Sequence, residues 1–173
     1  EHNIPVRLLN TLCPEAFGTL IHNSSETGKI KAIAAKDNIT SIKIKSSRML
    51  LAYGFLRKIF EIFEDNKTAI DMITTSEVGV SVTIDNTKNL EQIISGLKTL
   101  GEVTVEEDMV IICVVGDLKW QNTGFEAKVL NAISTIPVRM ISYGGSNHNV
   151  SVLIHKDDKI EALNLLSNHL FNN

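Results

Sequence analysis

Ile70-Asp71-Met72-Ile73-Thr74-Thr75-Ser76-Glu77-Val78-Gly79-Val80-Ser81-Val82-Thr83-Ile84 is the stretch that decides the fold. It reads as two strands, Ala69 to Thr74 and Val78 to Ile84, with Ser76-Glu77 at the turn between them, and it occurs twice. Val80-Ser81-Val82-Thr83-Ile84 recurs at an offset of 70 as Val150-Ser151-Val152-Leu153-Ile154. Ile70-Asp71-Met72-Ile73 recurs at an offset of 68 as Val138-Arg139-Met140-Ile141. Upstream, Gly54-Phe55 and Gly124-Phe125 each open an amphipathic stretch, again 70 apart. The apolar frame is kept while the charges change: Asp71 corresponds to Arg139, and Glu77 to Asn147. Such copies point to one scaffold used twice, with one specialised site.

Working outward, Ile39, Ile42 and Ile44 lie in a β-rich run, with Ile42-Lys43-Ile44-Lys45 in strict alternation. Leu56, Ile59, Phe60 and Phe63 fall at i, i+3, i+4 and i+7, one face of a helix. Asp85-Asn86-Thr87 signals a second helix, which carries Leu90, Ile93, Ile94 and Leu97; Gly101 stops it, and Val103 and Val105 suggest a short strand. The unit is β-α-β-β-α-β, the ferredoxin-like order. The second copy begins with a strand from Met109 to Val115, then a helix on Phe125, Val129, Ala132 and Ile133. Strands Val138 to Ser142, headed by Pro137, and Asn149 to His155 come next, then a helix on Ile160, Leu163, Leu166 and Leu170. That unit is one strand short, and Ile30 to Ala35 is the unassigned candidate. It is expected to pair into the second unit, so that unit one is inserted within unit two and a sheet edge is covered.

Composition narrows the function classes. With 43% hydrophobic and 21% charged residues the chain reads as an ordinary globular protein, and its net charge of −3 gives no pull toward nucleic acid or anionic membrane. An RNA-binding module of this topology stacks bases on strand aromatics, and Ile39 to Lys45 and Val78 to Ile84 carry none. Cys13 and Cys113 fit a reducing compartment better than a disulfide scaffold. No apolar run approaches the roughly 18 residues that span a bilayer, and no secretory signal is seen. The chain does not begin with Met. The expectation is a cytoplasmic protein, or a piece of one. No His, Cys and carboxylate cluster has metal-ligand spacing, and no catalytic constellation is found.

Three positions carry ligand chemistry. A glycine at a helix start lets a ligand approach the backbone, and the N–H groups of Phe55 and Leu56 have no intrahelical partners. With the helix dipole they favour a carboxylate. Asp71, flanked by Ala69, Ile70, Met72 and Ile73, needs a partner, since even an uncharged polar group costs roughly 2–7 kcal/mol to bury alone. A salt bridge to a nearby base such as Lys43 or Lys45 is its plain structural reading. Glu77, at a turn, reads on its own as a solvated acid.

The nested pair of ferredoxin-like units, Gly54-Phe55-Leu56 opening a helix and Ile70 to Val78 following it, resembles the paired ACT domains of aspartokinase, over nearly the whole chain. Ile70 to Val82 resembles the first ACT unit of the lysine-sensitive class, and Ser142 to Asn149 the matching turn of the second. Pro5-Val6-Arg7 and Pro14-Glu15-Ala16-Phe17-Gly18-Thr19 are similar to the end of the family's kinase domain, with Phe17 where many members have Pro. The family's Lys-Phe-Gly-Gly-Thr-Ser start is absent. The resemblance implies an α+β fold of two βαββαβ ACT domains, the first inserted in the second. Residues 1–28 would be the end of the kinase domain and a linker, 38–107 the effector-binding ACT domain, and 29–37 with 108–173 the second.

It also implies a function: regulation of an aspartate kinase that phosphorylates L-aspartate with ATP and Mg, neither of them bound by this segment. The expected partners are the missing kinase domain and a second copy, paired through the first ACT units. One anion-binding helix end and two acids suit L-lysine, whereas L-threonine would leave one acid without a cation. Resemblance assigns Asp71 to the α-amino group, Glu77 with Asp71 to the ε-ammonium, and the N–H groups of Phe55 and Leu56, after Gly54, to the carboxylate. Met49, Ile70 and Ser76 would line the pocket, and Ala52 stands where members can carry Ser. Arg139 and Asn147 remove both acids from the second copy, so no lysine site is expected there. Gly144-Gly145 reads as a tight turn, His148 as an interface residue and Trp120 as packing at a helix start. A threonine-responsive kinase and a stand-alone ACT-type sensor or assembly module are the rivals. The kinase-like N-terminal segment argues against the last two.

Overall fold

The computed structural model describes residues 4–22, 29–49, 53–117 and 124–171; Ala52 and Trp120 lie outside them. In chain order the first elements are β1 (Val6–Leu8), β2 (Thr19–Ile21), β3 (Ile30–Lys45), a 3-10 turn (Ser47–Met49), α1 (Phe55–Asp65), β4 (Ile73–Thr75) and β5 (Gly79–Ile84). There follow α2 (Leu90–Lys98), β6 (Glu102–Gly116), α3 (Phe125–Ala132), β7 (Met140–Ser142), β8 (Asn149–His155), a second 3-10 turn (Lys156–Asp158) and α4 (Lys159–Phe171). β1 and β2 form an antiparallel ribbon of their own, with the Arg7 guanidinium 4.8 Å from the Phe17 ring centre. Everything else is built on a six-stranded antiparallel sheet in the order β4-β5-β3-β6-β8-β7.

Two strands are much longer than expected. Ile30 to Ala35 and Ile39 to Lys45 are not separate strands but halves of the 16-residue β3, and Val103 to Val115 runs through the 15-residue β6. The join falls where Asn38 and Asp108 take left-handed backbone, φ 59° and 60°, and where the β3–β6 register shifts on either side of Ile39. Asn and Asp are the non-glycine residues that best tolerate this conformation, so the strand bends instead of stopping. The alternation test missed this because a bulge changes which face the side chains point to.

The junction is also an internal two-fold axis. Ile39 pairs with Met109, its own counterpart at the offset of 70. Ile42↔Val105 becomes Ala35↔Ile112 when the halves are exchanged, and Lys43↔Thr104 becomes Ala34↔Cys113. Each half is a four-stranded ferredoxin-like sheet whose first and last strands are segments of β3 and β6. In the first half Ile42, Ile44, Val80, Val82 and Ile84 meet Phe55, Ile59 and Phe63 of α1 and Ile93 and Leu97 of α2. In the second, Val110, Ile112, Val114, Val150, Val152 and Ile154 meet α3 and α4. Burying one such side chain stabilises by about 1.5–3 kcal/mol. A third cluster, Ile39, Met72, Met109, Ile111, Met140 and Leu153, lies on the side away from the helices. There the halves fold toward each other: β4 touches β7, and the Ser41 hydroxyl lies 3.9 Å from the Met140 sulfur.

The buried face of α1 differs from its sequence reading. Phe55, Ile59 and Phe63 are buried, whereas Leu56 and Phe60 are 37% and 41% exposed. The spacing of Leu56, Ile59, Phe60 and Phe63 fits a helical stripe, but it is offset from the real one. Ile62 is on one flank, against Gly96 of α2. Leu56 and Phe60 occupy the other flank, toward the β4 edge.

Candidate functional site

The loop after β3 is tied to the β4–β5 turn: the Ser46 N–H donates to Val78 O at 2.9 Å and the Met49 N–H to Ser46 O at 3.1 Å. α1 starts from this end. Gly54, its N-cap, has φ 78° and ψ 9°, a left-handed conformation open to glycine, and among the described residues nothing beyond its chain neighbours and the backbone of its own helix lies within 4 Å of where a Cβ would stand. The first turn of α1 holds no acid. The N–H groups of Phe55 and Leu56 thus open onto a positive helix end suited to a carboxylate. The Ser76 N–H closes the nearby turn on Gly79 O at 2.8 Å, and Ser76 and Glu77 are exposed. Met49, Gly54, Phe55, Leu56, Ser76 and Glu77 therefore share one end of the first half.

Ile70 and Asp71 are at the other end. The Asp71 N–H donates to Thr83 O at 2.9 Å, while Ser76 is level with Gly79. Four residues along β5 separate those levels, about 13 Å at strand rise. Within one chain Asp71 and Glu77 do not converge on one ligand ammonium. Ile70 packs against the α1–α2 core. The Asp71 side chain is only 22% exposed on a residue whose backbone lies open, and its partner is neither Lys43 nor Lys45. It is Lys36, whose Nζ lies 2.6 Å from Asp71 Oδ1 and 2.8 Å from Asp85 Oδ2. Hydrogen bonds first to Asp71 and then to Asp85 raise the Lys36 ammonium pKa above 10.5, and the bond to Lys36 holds the Asp85 carboxyl below 3.8.

The second half repeats this arrangement with the signs reversed. The Arg139 N–H donates to Leu153 O at 2.8 Å, as the Asp71 N–H does to Thr83 O. The Arg139 guanidinium grips Glu106 with two N–H groups, Nε at 2.5 Å from Oε2 and Nη2 on Oε1. Lys36 and Glu106 are 70 apart, so the pairs Lys36–Asp71 and Glu106–Arg139 are counterparts. Beside Arg139 is a cavity of about 310 Å³ that also touches Glu107, Met109, Pro137, Val138 and His155. Gly124 repeats the left-handed cap of Gly54, with φ 84° and ψ 5°. Lys36 and Glu106 were missed in the sequence, although their opposite charges at the offset of 70 mark them as a swapped pair; Asp85, matched by His155, was read there only as a helix start. Among the described residues no three His, Cys, Asp or Glu side chains gather as a metal site, and no helix is long and apolar enough to cross a membrane.

A family model described as ACT domain matches residues 112–170. A solved structure described as a C-terminal regulatory domain of aspartate kinase from Porphyromonas gingivalis W83 is 60% identical, with a TM-score of 0.75 over 82% of this chain and 97% of that one. The chain belongs to the aspartate kinase family, as an ACT-domain regulatory region. Aspartokinase 3, chloroplastic, from Arabidopsis thaliana is 33% identical over 99% of the regulatory region and 33% of its own length. The regulatory region therefore spans about a third of that curated relative. Aspartokinase III of Escherichia coli, solved with lysine and aspartate in its T-state, is 34% identical, with a TM-score of 0.84 over 98% of the region and 39% of that chain.

Proposed function

We propose that this region is the L-lysine sensor of an aspartate kinase, inhibiting ATP-dependent phosphorylation of L-aspartate when lysine accumulates. The observation that carries this reading is the ammonium already held by Asp71, that of Lys36, 2.6 Å away. Asp71 therefore sits in a place built for an alkylammonium. The open, acid-free start of α1 supplies the carboxylate end, and Glu77 a second acid. The E. coli enzyme solved with lysine supports the choice of effector. Proposed site residues remain Met49, Gly54, Phe55, Leu56, Ile70, Asp71, Ser76 and Glu77, together with Ala52, which lies outside the described residues.

The distance between Asp71 and Glu77 within one chain favours a site completed by a second copy. β4 is the edge of the sheet, with Ile73 36%, Val78 40%, Leu56 37% and Phe60 41% exposed along it. An antiparallel pairing of two β4 strands about Ile73-Thr74 would set Asp71 of one copy opposite Ser76 and Glu77 of the other. The partition proposed is 1–28 from the end of the kinase domain, 38–107 as the sensor unit, and 29–37 with 108–173 as the second unit. The separate β1–β2 ribbon supports it, as does the 82% coverage by an isolated regulatory domain against 98% by a whole enzyme. The cytoplasm is the proposed compartment. ATP and Mg belong to the proposed kinase half, and no residue of this chain is assigned to them.

The test is calorimetric titration with L-lysine and L-threonine, with solution mass measured before and after. Lysine should bind selectively and favour the dimer. Asp71→Ala and Glu77→Ala should each weaken binding about 10- to 100-fold, the worth of a charge-assisted hydrogen bond, and Arg139→Ala should leave it nearly intact. Preference for threonine would overturn the pocket chemistry, and unchanged affinity in both acid variants would remove their roles.

A further inference from the structure

We infer that Lys36 is a built-in competitor for the effector, a tethered ammonium that a ligand ammonium must displace from Asp71, and that Asp85 is where the displaced lysine goes. The inference rests on the effector reading above and adds its regulation. Three features lead to it. Lys36 Nζ bridges two carboxylates, 2.6 Å from Asp71 Oδ1 and 2.8 Å from Asp85 Oδ2, so losing one leaves it still paired. It makes a single point contact with Asp71, by one Nζ to one oxygen, which another primary ammonium can replace in kind. Its side chain is 46% exposed, so no packed core resists the move.

The counterpart in the second half lacks these properties. Arg139 holds Glu106 through two N–H groups, and the position matching Asp85 is His155, which lies against Asp157 at 3.3 Å. A two-pronged pair, with His155 at the matching place lying against Asp157 instead of Glu106, has no equivalent exchange to make. The switch is thus specific to the unit that keeps the acids. Lys36 also lies in the half of β3 that completes the second unit's sheet, pairing with Ile111 of β6. The contact to Asp71 therefore crosses from one unit to the other. Exchanging Lys36 for a ligand ammonium removes one of the polar ties between them, which is how occupancy of unit one would be felt in unit two.

Two substitutions with opposite expected signs test this in titrations of the full chain with L-lysine. Lys36→Met removes the competitor and leaves two acids unpaired, so affinity should rise about three- to five-fold, the scale of an exposed ion pair. Asp85→Asn takes away the alternative partner, so lysine should bind more weakly by a similar factor. Lys36→Arg keeps the cation but can grip a carboxylate with two N–H groups, so lysine should bind no more tightly than to the unsubstituted chain, in contrast to Lys36→Met. A purely structural Lys36 would lower thermal stability without raising affinity, and that result, or weaker binding in Lys36→Met, overturns the inference. If neither the unsubstituted chain nor Lys36→Met binds lysine, the effector reading itself falls. If the unsubstituted chain fails and Lys36→Met binds, the competitor is established directly.

Discussion

Reversing the charges of the Lys36–Asp71 pair should show whether the two halves share one frame. Lys36→Glu would put a third carboxylate beside Asp71 and Asp85, both now within 2.8 Å of the Lys36 ammonium. Asp71→Arg would set a guanidinium against Lys36, with Asp85 still near to relieve it. Two unit charges about 4 Å apart interact by about 1 kcal/mol in water and about 4 kcal/mol at an effective dielectric constant of 20. The side chains of Lys36, Asp71 and Asp85 are 46%, 22% and 44% exposed, so the lower end applies. Each single reversal loses an attraction and adds a repulsion, about 1–2 kcal/mol, with Lys36→Glu the costlier because it meets two acids. The double variant recreates the charge order of Glu106–Arg139 and should recover most of the loss. The resulting coupling, the two single losses together less what remains in the double variant, is about 2–3 kcal/mol and exceeds the roughly 0.3–0.5 kcal/mol scatter of independent sites. Urea unfolding of the four proteins, at a common m-value, measures it. Additive losses in the double variant would refute the counterpart relation.

Gly101→Ala should destabilise by about 1–3 kcal/mol, because its Cβ would stand 2.4 Å from Lys45 O and 3.1 Å from Lys45 C, backbone that cannot turn aside. Gly145→Ala, with nothing within 4 Å, should leave the melting temperature nearly unchanged. Ile59→Ala, at a fully buried position of α1, should cost about 2–5 kcal/mol in the same urea assay. The acid limb of stability has a definite sign. Lys36 holds the Asp85 carboxyl below 3.8 and Lys156 does the same for Asp108, so these pairs contribute fully above that value. Their contribution is lost as pH falls through the lower folded values, and Asp85→Asn should flatten that limb.

The repeat and the element order were legible because each rests on local periodicity. Val80 to Ile84 and its copy at Val150 to Ile154 keep Val, Val and Ile at matching alternate positions, all buried against the helices, although the intervening Thr83, Ser151 and Leu153 are buried as well. The nested insertion was legible from a count: one unit lacked a strand, and one strand lacked a unit. The continuity of β3 and β6 was not, because Asn38 and Asp108 read equally well as turn residues that end a strand and as the left-handed bulge that bends it. On α1, Ile59 and Phe63 were read correctly, but Leu56 and Phe60 fit the same spacing as well as Phe55 does, and only packing shows that Phe55, 8% exposed, is the buried one. At the site, the need of Asp71 for a cation followed from its neighbours. The identity of that cation did not, since Lys36 is 35 residues away and is brought close only by the bend between the two halves.

Nesting explains why a repeat with one specialised copy would keep both. If the units were joined end to end, a change in the first could be absorbed by the linker. Here β3 and β6 each contribute one segment to either unit, and the axis runs through Ile39 and Met109, 1% and 6% exposed. The Met72–Met140 cluster packs where the two halves of the six-stranded sheet meet, so the halves have few arrangements that keep both cores packed. A ligand moves such a pair only through contacts that differ between arrangements. In the proposed reading those contacts are the exchangeable ones, Lys36 with Asp71 and the β4 edge between copies. Glu106–Arg139 keeps its two-pronged grip and holds the second half as the reference against which the first one shifts.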